Sequence, residues 1–293
     1  MSIRFSKSKL NTYLSCPRKY YLHYELGMRA KKASKTLIEG SAIHHIVESG
    51  LVYRQISDIA EESSRIFWED NPFENCCYET EQEYLSAQQL CLFQSKKFLE
   101  GLGPLPALRM EMEYQCPLIH PLTGETREDI SLLGYLDLLL LGEDGTPCLV
   151  DLKTVGKTPR EGMSRVALEM SLYAYLYTQP FDSMEFSHYP VALVYLIRTK
   201  EPKVHWDEST RSLPHFVEIF NICSQVASSI ERGCFWRNPG MHCSWCDQQS
   251  LCYMDEALAL ETFGEDSWNI YLLDNARLED ELLGLYESRV VNF

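Results

Sequence analysis

The stretch GTPCLVDLKTVGKTP, Gly145 to Pro159, carries Asp151 and Lys153 two residues apart within an apolar run. Side chains alternate along a strand, so Asp151 and Lys153 point to one face while Val150 and Leu152 point to the other. Taken alone, an Asp-x-Lys of this kind is an exposed ion pair of little consequence. Its neighbours change that meaning. GYLDLLLL, Gly134 to Leu141, places Asp137 inside a second apolar run, where a charge is expensive unless a partner or a metal compensates it. The turn signal GEDG, Gly142 to Gly145, joins the two runs as a hairpin and draws Asp137 toward Asp151. Two carboxylates and a lysine meeting at one end of a sheet can hold a divalent cation through hard oxygen ligands. An ammonium beside that cation stabilises negative charge developing on a phosphodiester.

Working outward, LRMEMEYQCPL, SLLGYLDLLLLG and PCLVDLKTV read as three successive strands with turn signals LTGE and GEDG between them, an antiparallel meander. Met163, Val166, Met170, Tyr173 and Tyr177 follow at helical spacing, and VALVYLIRT returns to the sheet as a strand. Upstream, residues 6–26 read as a short helical segment, and a second helix is predicted to start near Glu39 and carry Ile43, His44, Ile46, Val47 and Leu51. Helical sequence continues to Gly101, where Gly103, Pro104 and Pro106 break it. Phe216, Ile219, Phe220, Cys223, Val226 and Ile230 mark a last amphipathic helix. The pattern predicts an α/β fold with a mixed central sheet flanked by helices. Its expected segments are a basic stretch 1–40, a helical region 41–105, a sheet core 106–200, a helix with cysteines 201–253 and an acidic tail 254–293.

The chain has 293 residues, 45% hydrophobic and 24% charged, which suits a globular protein with a sizeable core. No stretch reads as a signal peptide or a membrane span, so a cytoplasmic location without membrane partners is expected. The net charge of −15 argues against a polyanionic partner until its distribution is considered. Met1 to Gly40 holds nine basic residues against two acidic ones, whereas the sequence after Cys252 holds ten acidic against two basic. Tyr13, Tyr20, Tyr21 and Tyr24 interleave with the basic residues, a combination suited to a nucleic-acid backbone and stacked bases. The acidic end is expected to be a helical or partly ordered appendage that does not touch DNA.

Eleven cysteines in a chain of this class are an improbable disulfide framework, because the cytosol keeps thiols reduced. Cys243, Cys246 and Cys252 form Cys-x2-Cys-x5-Cys, close enough to ligate one centre. A fourth thiolate is missing locally, and spacing alone does not separate zinc from an iron-sulfur cluster.

GYLD (Gly134 to Asp137), VDLKT (Val150 to Thr154) and GSAIH (Gly40 to His44) together resemble the PD-(D/E)XK nucleases, and within them the RecB-like exonucleases with an iron-sulfur cluster, such as those of CRISPR adaptation and the AddB type. The resemblance implies a restriction-endonuclease-like sheet and a metal-dependent DNA exonuclease acting on single-stranded or frayed ends, with Mg2+ or Mn2+ as cofactor. By it, Asp137 and Asp151 are the metal carboxylates, Lys153 the catalytic lysine, His44 a further metal ligand from a helix, and the backbone carbonyl of Leu152 another. Glu113, or its competitor Glu111, stands where the family often has one more acid. The Gln-x-x-x-Tyr pair of that family is matched by Glu169 and Tyr173, with an acid in place of the amide. SCPRKYYL resembles the family's amino-terminal cysteine motif, which makes Cys16 the fourth ligand and favours [4Fe-4S] at Cys16, Cys243, Cys246 and Cys252. The implied settings are recombination, repair, phage replication or CRISPR adaptation, with partner proteins of such complexes. A non-catalytic iron-sulfur or zinc scaffold that binds DNA is the alternative, and the intact Asp137, Asp151 and Lys153 set argues against it.

Overall fold

The computed structural model describes residues 2–53, 56–103, 105, 107–142, 144–179 and 188–290, with the side chains of 53, 56–57, 107–111 and 279–290 outside that description. The chain begins with β1 (Ile3–Ser6), α1 (Lys7–Ser15) and α2 (Pro17–Tyr20), then three longer helices, α3 (Lys35–Tyr53), α4 (Ile56–Asp70) and α5 (Glu81–Leu102). The meander follows as β2 (Ala107–Ile119), β3 (Thr126–Leu141) and β4 (Pro147–Val155), then α6 (Met163–Val166), α7 (Leu168–Tyr177), β5 (Tyr189–Ile197), β6 (Lys203–Arg211) and α8 (Leu213–Glu231). Three helices end it, α9 (Gln249–Cys252), α10 (Glu256–Phe263) and α11 (Glu265–Val290). None of the described helices is long and apolar enough to cross a membrane.

Two compact units result, each built from separated pieces of sequence: Met1–Asn11 with Ala33–Arg232, and Thr12–Lys32 with Gly233–Phe293. The first contains a six-stranded mixed sheet. β3 bonds β2 antiparallel over nearly its whole length, from Thr126 to Leu140. A strand has only two edges, so β1 and β4 share the other. β1 lies parallel to residues Ile130 to Leu133, and β4 lies antiparallel to Leu138 to Leu141. Gly134 to Asp137 therefore line a fork, with β1 ending on one side of it and β4 departing on the other. β5 continues the sheet parallel to β4, and β6 closes it antiparallel to β5.

Leu138, Leu140, Val150, Leu152, Ala192, Val194 and Leu196 form one apolar face and pack with Ile43, Val47, Phe98 and Leu99 of α3 and α5. Burial of each such side chain stabilises by roughly 1.5–3 kcal/mol, enough in sum to hold the helical layer on the sheet. α7 packs on the opposite face, where the Tyr175 hydroxyl bonds both the N–H and the C=O of Ile119 at 2.8 and 2.6 Å. Arg211, 1% exposed, donates to the Ser171 hydroxyl and the Ser164 carbonyl and pins α6 and α7 to β6. Gly134 gives α7 room here: a Cβ at this position would lie 2.5 Å from a Leu176 methyl, so a side chain there would make Leu176 shift.

The second unit shows where two expectations differ from the fold. Tyr13 and Tyr20, read as partners for nucleic-acid bases, are 4% and 3% exposed and pack against Phe235. Composition shows that rings and charges alternate but not which of them the core absorbs. The acidic end is likewise no appendage over its first half. Ala259, Phe263, Trp268 and Tyr271 are buried with Leu22, Met28 and Leu251, and the Tyr21 hydroxyl donates to Asp274 at 2.6 Å. An apolar stripe on α10 and α11 supplies a core whatever the net charge on the outer faces.

Candidate active site and cysteine cluster

The fork brings the acids together as the hairpin implied. β3 and β4 separate after the Leu138–Val150 pair, so the next residues, Asp137 and Asp151, face each other across unpaired backbone. The freed N–H of Leu152 donates to Asp137 Oδ2 at 2.7 Å. Asp151 is 1% exposed and held by two ammonium groups, Lys7 Nζ at 2.8 Å from Oδ1 and Lys153 Nζ at 2.5 Å from Oδ2. Lys153 also reaches Glu169 at 3.3 Å, so the acid that stands where the family pattern has an amide carries its own counter-charge. Tyr173, one helical turn on, is 4% exposed, and Lys7 Nζ lies 5.6 Å from its ring centre.

From the helical layer, α3 presents His44 and, one turn later, Glu48, whose carboxylate lies 3.8 Å from His44 Nδ1. One donor atom each of His44, Glu48 and Asp137 lie within 4.8 Å of one another, the one such group of potential metal ligands among the described residues. Asp151 stands outside that trio, engaged by its lysines. His44, Glu48 and Asp137 line a cavity of about 810 Å³ with Lys7, Ser34, Gly40, Ser41, Lys153 and Thr154. A Cβ on Gly40 would meet nothing within 4 Å, so this glycine leaves open space on the cavity wall.

Electrostatics set the two carboxylates apart. Burial pushes the Asp137 carboxyl up to about 6, assisted by the charge of Asp151 and opposed by His44 and the Leu152 N–H. Burial also works against Asp151, but Lys153 and Lys7 outweigh it and hold that carboxyl below the usual range. For His44 burial lowers the proton affinity, yet the Glu48 hydrogen bond and the charges of Asp137 and Asp151 raise it overall. Burial and the nearby carboxylates push Tyr173 well above the ordinary phenol range, which keeps its hydroxyl a donor.

A divalent cation suits this donor set on the structure's own terms. Donor atoms of His44 and Glu48 converge on Asp137, and the buried Asp151 carboxylate is held ionised nearby by its lysines. Glu48 was absent from the sequence reading, although its spacing four residues after His44 puts both on one helix face. Lys7 was absent too, and no local signal exists for it, because its partner lies 144 residues away. Glu113 bonds the Tyr135 hydroxyl on the β2–β3 ladder, and the Glu111 side chain lies outside the described residues. His45, the neighbour of His44, rests against Phe67 and also borders the cavity, outside the ligand trio.

In the second unit Cys16, Cys243, Cys246 and Cys252 all line one small cavity, together with Lys19, Arg237 and His242. Cys16 precedes Pro17 at the start of α2, and the Cys243–Cys246 turn closes through a Cys246 N–H to Cys243 C=O bond of 3.3 Å. Burial pushes the Cys246 and Cys252 thiols up, while Lys19 draws Cys246 and Arg237 draws Cys252 the other way. Four thiols lining one cavity form a donor set for a soft metal centre, zinc or an iron-sulfur cluster.

The family model of the PD-(D/E)XK nuclease superfamily matches residues 4–253. Among solved structures, a candidate exonuclease from Eubacterium rectale aligns at 12% identity with a TM-score of 0.48, covering 83% of this chain and 86% of that one. The protein solved as SSO0001 aligns at 12% identity and a TM-score of 0.32, covering 72% of this chain and 84% of that one. No curated protein matches the chain.

Proposed function

Because the chain belongs to the PD-(D/E)XK nuclease superfamily, we propose that it is a metal-dependent DNA exonuclease that acts on single-stranded ends and carries a structural [4Fe-4S] cluster. The observation that carries the reading is the fork, where Asp137, Asp151 and Lys153 meet beside His44 and Glu48. Asp137, Asp151, His44, Glu48 and the Leu152 carbonyl would hold Mg2+ or Mn2+. When bound, such an ion supplies Lewis acidity to the scissile phosphate and to the attacking water. Lys153 offsets charge as it accumulates on the phosphate oxygens, and its pairing with Glu169 and Asp151 keeps the ammonium aimed before substrate arrives. Tyr173, held protonated, donates a hydrogen bond toward the same oxygens. Residues of α3 and β4 both line the cavity, so a strand bound there would touch the helical layer as well as the sheet.

Cys16, Cys243, Cys246 and Cys252 would hold the cluster, which ties residue 16 to residues 243–252 and so closes the second unit on itself. Recombination, repair, phage replication and CRISPR adaptation are settings in which such an activity is used.

Labelled linear single strands and covalently closed single-stranded circles, incubated with Mn2+ beside an Asp151→Ala control, test the proposal. Degradation of linear strands by the wild-type chain alone, with circles largely resistant, is the expected result. Equal loss of circles and linear strands would replace the exonuclease with an endonuclease, and cleavage by the Asp151→Ala protein would remove the site.

A further inference from the structure

We propose that Lys7 is a second phosphate-binding lysine of this site, gripping the phosphodiester of the strand being cut together with Lys153; the inference rests on the nuclease reading above and adds a substrate contact to it. Its position follows from the sheet. β1 ends at Ser6, paired with Leu133, so Lys7 is the first residue past the strand and opens onto the fork at Gly134 to Asp137, which is unpaired on this edge of β3. The side chain turns into that fork and brings Nζ to 2.8 Å from Asp151 Oδ1.

Its donor capacity then allows Lys7 a role beyond that of counter-ion to the acids beside it. Asp151 already has an ammonium 2.5 Å from its other oxygen. Lys153 has a second acid, Glu169, at 3.3 Å. Lys7 has Asp151 as its one ion-pair partner among the described residues. An ammonium carries three donors and no acceptor, so two N–H groups of Lys7 remain for an anionic oxygen. The side chain is 28% exposed, and the space it faces is the same cavity of about 810 Å³ that holds Asp137 and Lys153. The ammonium also lies over the Tyr173 ring, 5.6 Å from its centre, a cation–π contact that favours this position of the charge.

The test uses equilibrium binding of a labelled linear single strand to the full chain in EDTA, so that no cleavage intervenes, over a range of KCl concentrations. One lost phosphate contact lowers the slope of log K against log salt by about 0.7 for a single strand. Lys7→Met is expected to show that reduction and weaker binding at low salt, while Lys7→Arg keeps the wild-type slope. A folded Lys7→Met protein with the wild-type slope overturns the proposal. A second measurement needs no variant: bound DNA is expected to protect Lys7 of the wild-type chain from an amine-reactive reagent, read by mass spectrometry. Equal labelling with and without DNA overturns the proposal even if Lys7→Met fails to fold. A wild-type chain that neither binds nor cuts single-stranded DNA defeats the nuclease reading and this one together, whereas cutting without Lys7 protection defeats this one alone.

Discussion

Asp137 pays for its position at the fork with stability, and removing its charge should return that stability while ending activity. Its carboxyl is pushed from an ordinary 3.8 to about 6, first by burial and then by Asp151. A shift of about two units corresponds to roughly 3 kcal/mol between the protonation states. The sign follows from proton linkage. Between pH 4 and pH 6 the folded state holds a proton that the unfolded state has released, so stability falls as pH rises through this window, and the full cost is present above it. Asp137→Asn deletes the charge but keeps an oxygen to accept the Leu152 N–H, now 2.7 Å from Oδ2. Part of the cost is shared with Asp151, so the expected gain at pH 7.5 without metal is about 1–3 kcal/mol. For a domain of 150–250 residues that is a rise of some 2–4 °C in Tm per kcal/mol. Thermal melts of both proteins in EDTA from pH 4 to pH 8 measure it. The gain should shrink toward pH 4, and added Mn2+ should raise the wild-type Tm far more than that of the variant. A variant no more stable than wild type at pH 7.5, or a gain that is flat across this range, would refute the charge-burial argument.

Asp151→Ala and Lys153→Ala should each lower the cleavage rate by at least about 10², the scale of a lost charge-stabilising group, with the folded signal in circular dichroism retained. A rate near wild type in either would remove that residue from the site. Iron analysis after anaerobic purification should return about four irons per chain, lost on replacing any of Cys16, Cys243, Cys246 or Cys252 by Ala and kept in Cys91→Ala, whose thiol is buried in the α3–α5 layer. Stoichiometric zinc in place of iron would assign the cavity to the other metal. Trp268→Ala should destabilise the second unit by about 3–5 kcal/mol in denaturant melts, because its ring is 5% exposed and stacked on Tyr271. An unchanged midpoint would return α10 and α11 to the standing of a loosely attached tail.

Which features were legible in the residues follows from how far each signal has to travel along the chain. Asp137 and Asp151 interrupt apolar runs joined by a short turn, so their cost and their proximity are both local, and the meander that carries them reads directly from β2 to β4. β1 is only Ile3–Ser6, and it gains meaning by lying parallel to Ile130–Leu133, a pairing across more than a hundred residues that no period announces. β6 was missed for a different reason: KVHWDESTR is an outer strand whose exposed and half-buried positions outnumber its buried ones, so its apolar alternation is faint. Tyr13 and Tyr20 were misjudged because the same alternation of rings and charges serves a binding surface or a core equally well, and Phe235, which decides between them, enters from the far end of the sequence. Lys7 combines both difficulties. A lysine one residue beyond an unrecognised strand looks like any solvated charge, and only the parallel register of β1 on β3 delivers it to Asp151. The acids of this site and Lys153 could therefore be found from local sequence, whereas Lys7 became visible only with the fold, because the register of β1 on β3, rather than its own surroundings, brings it to the site.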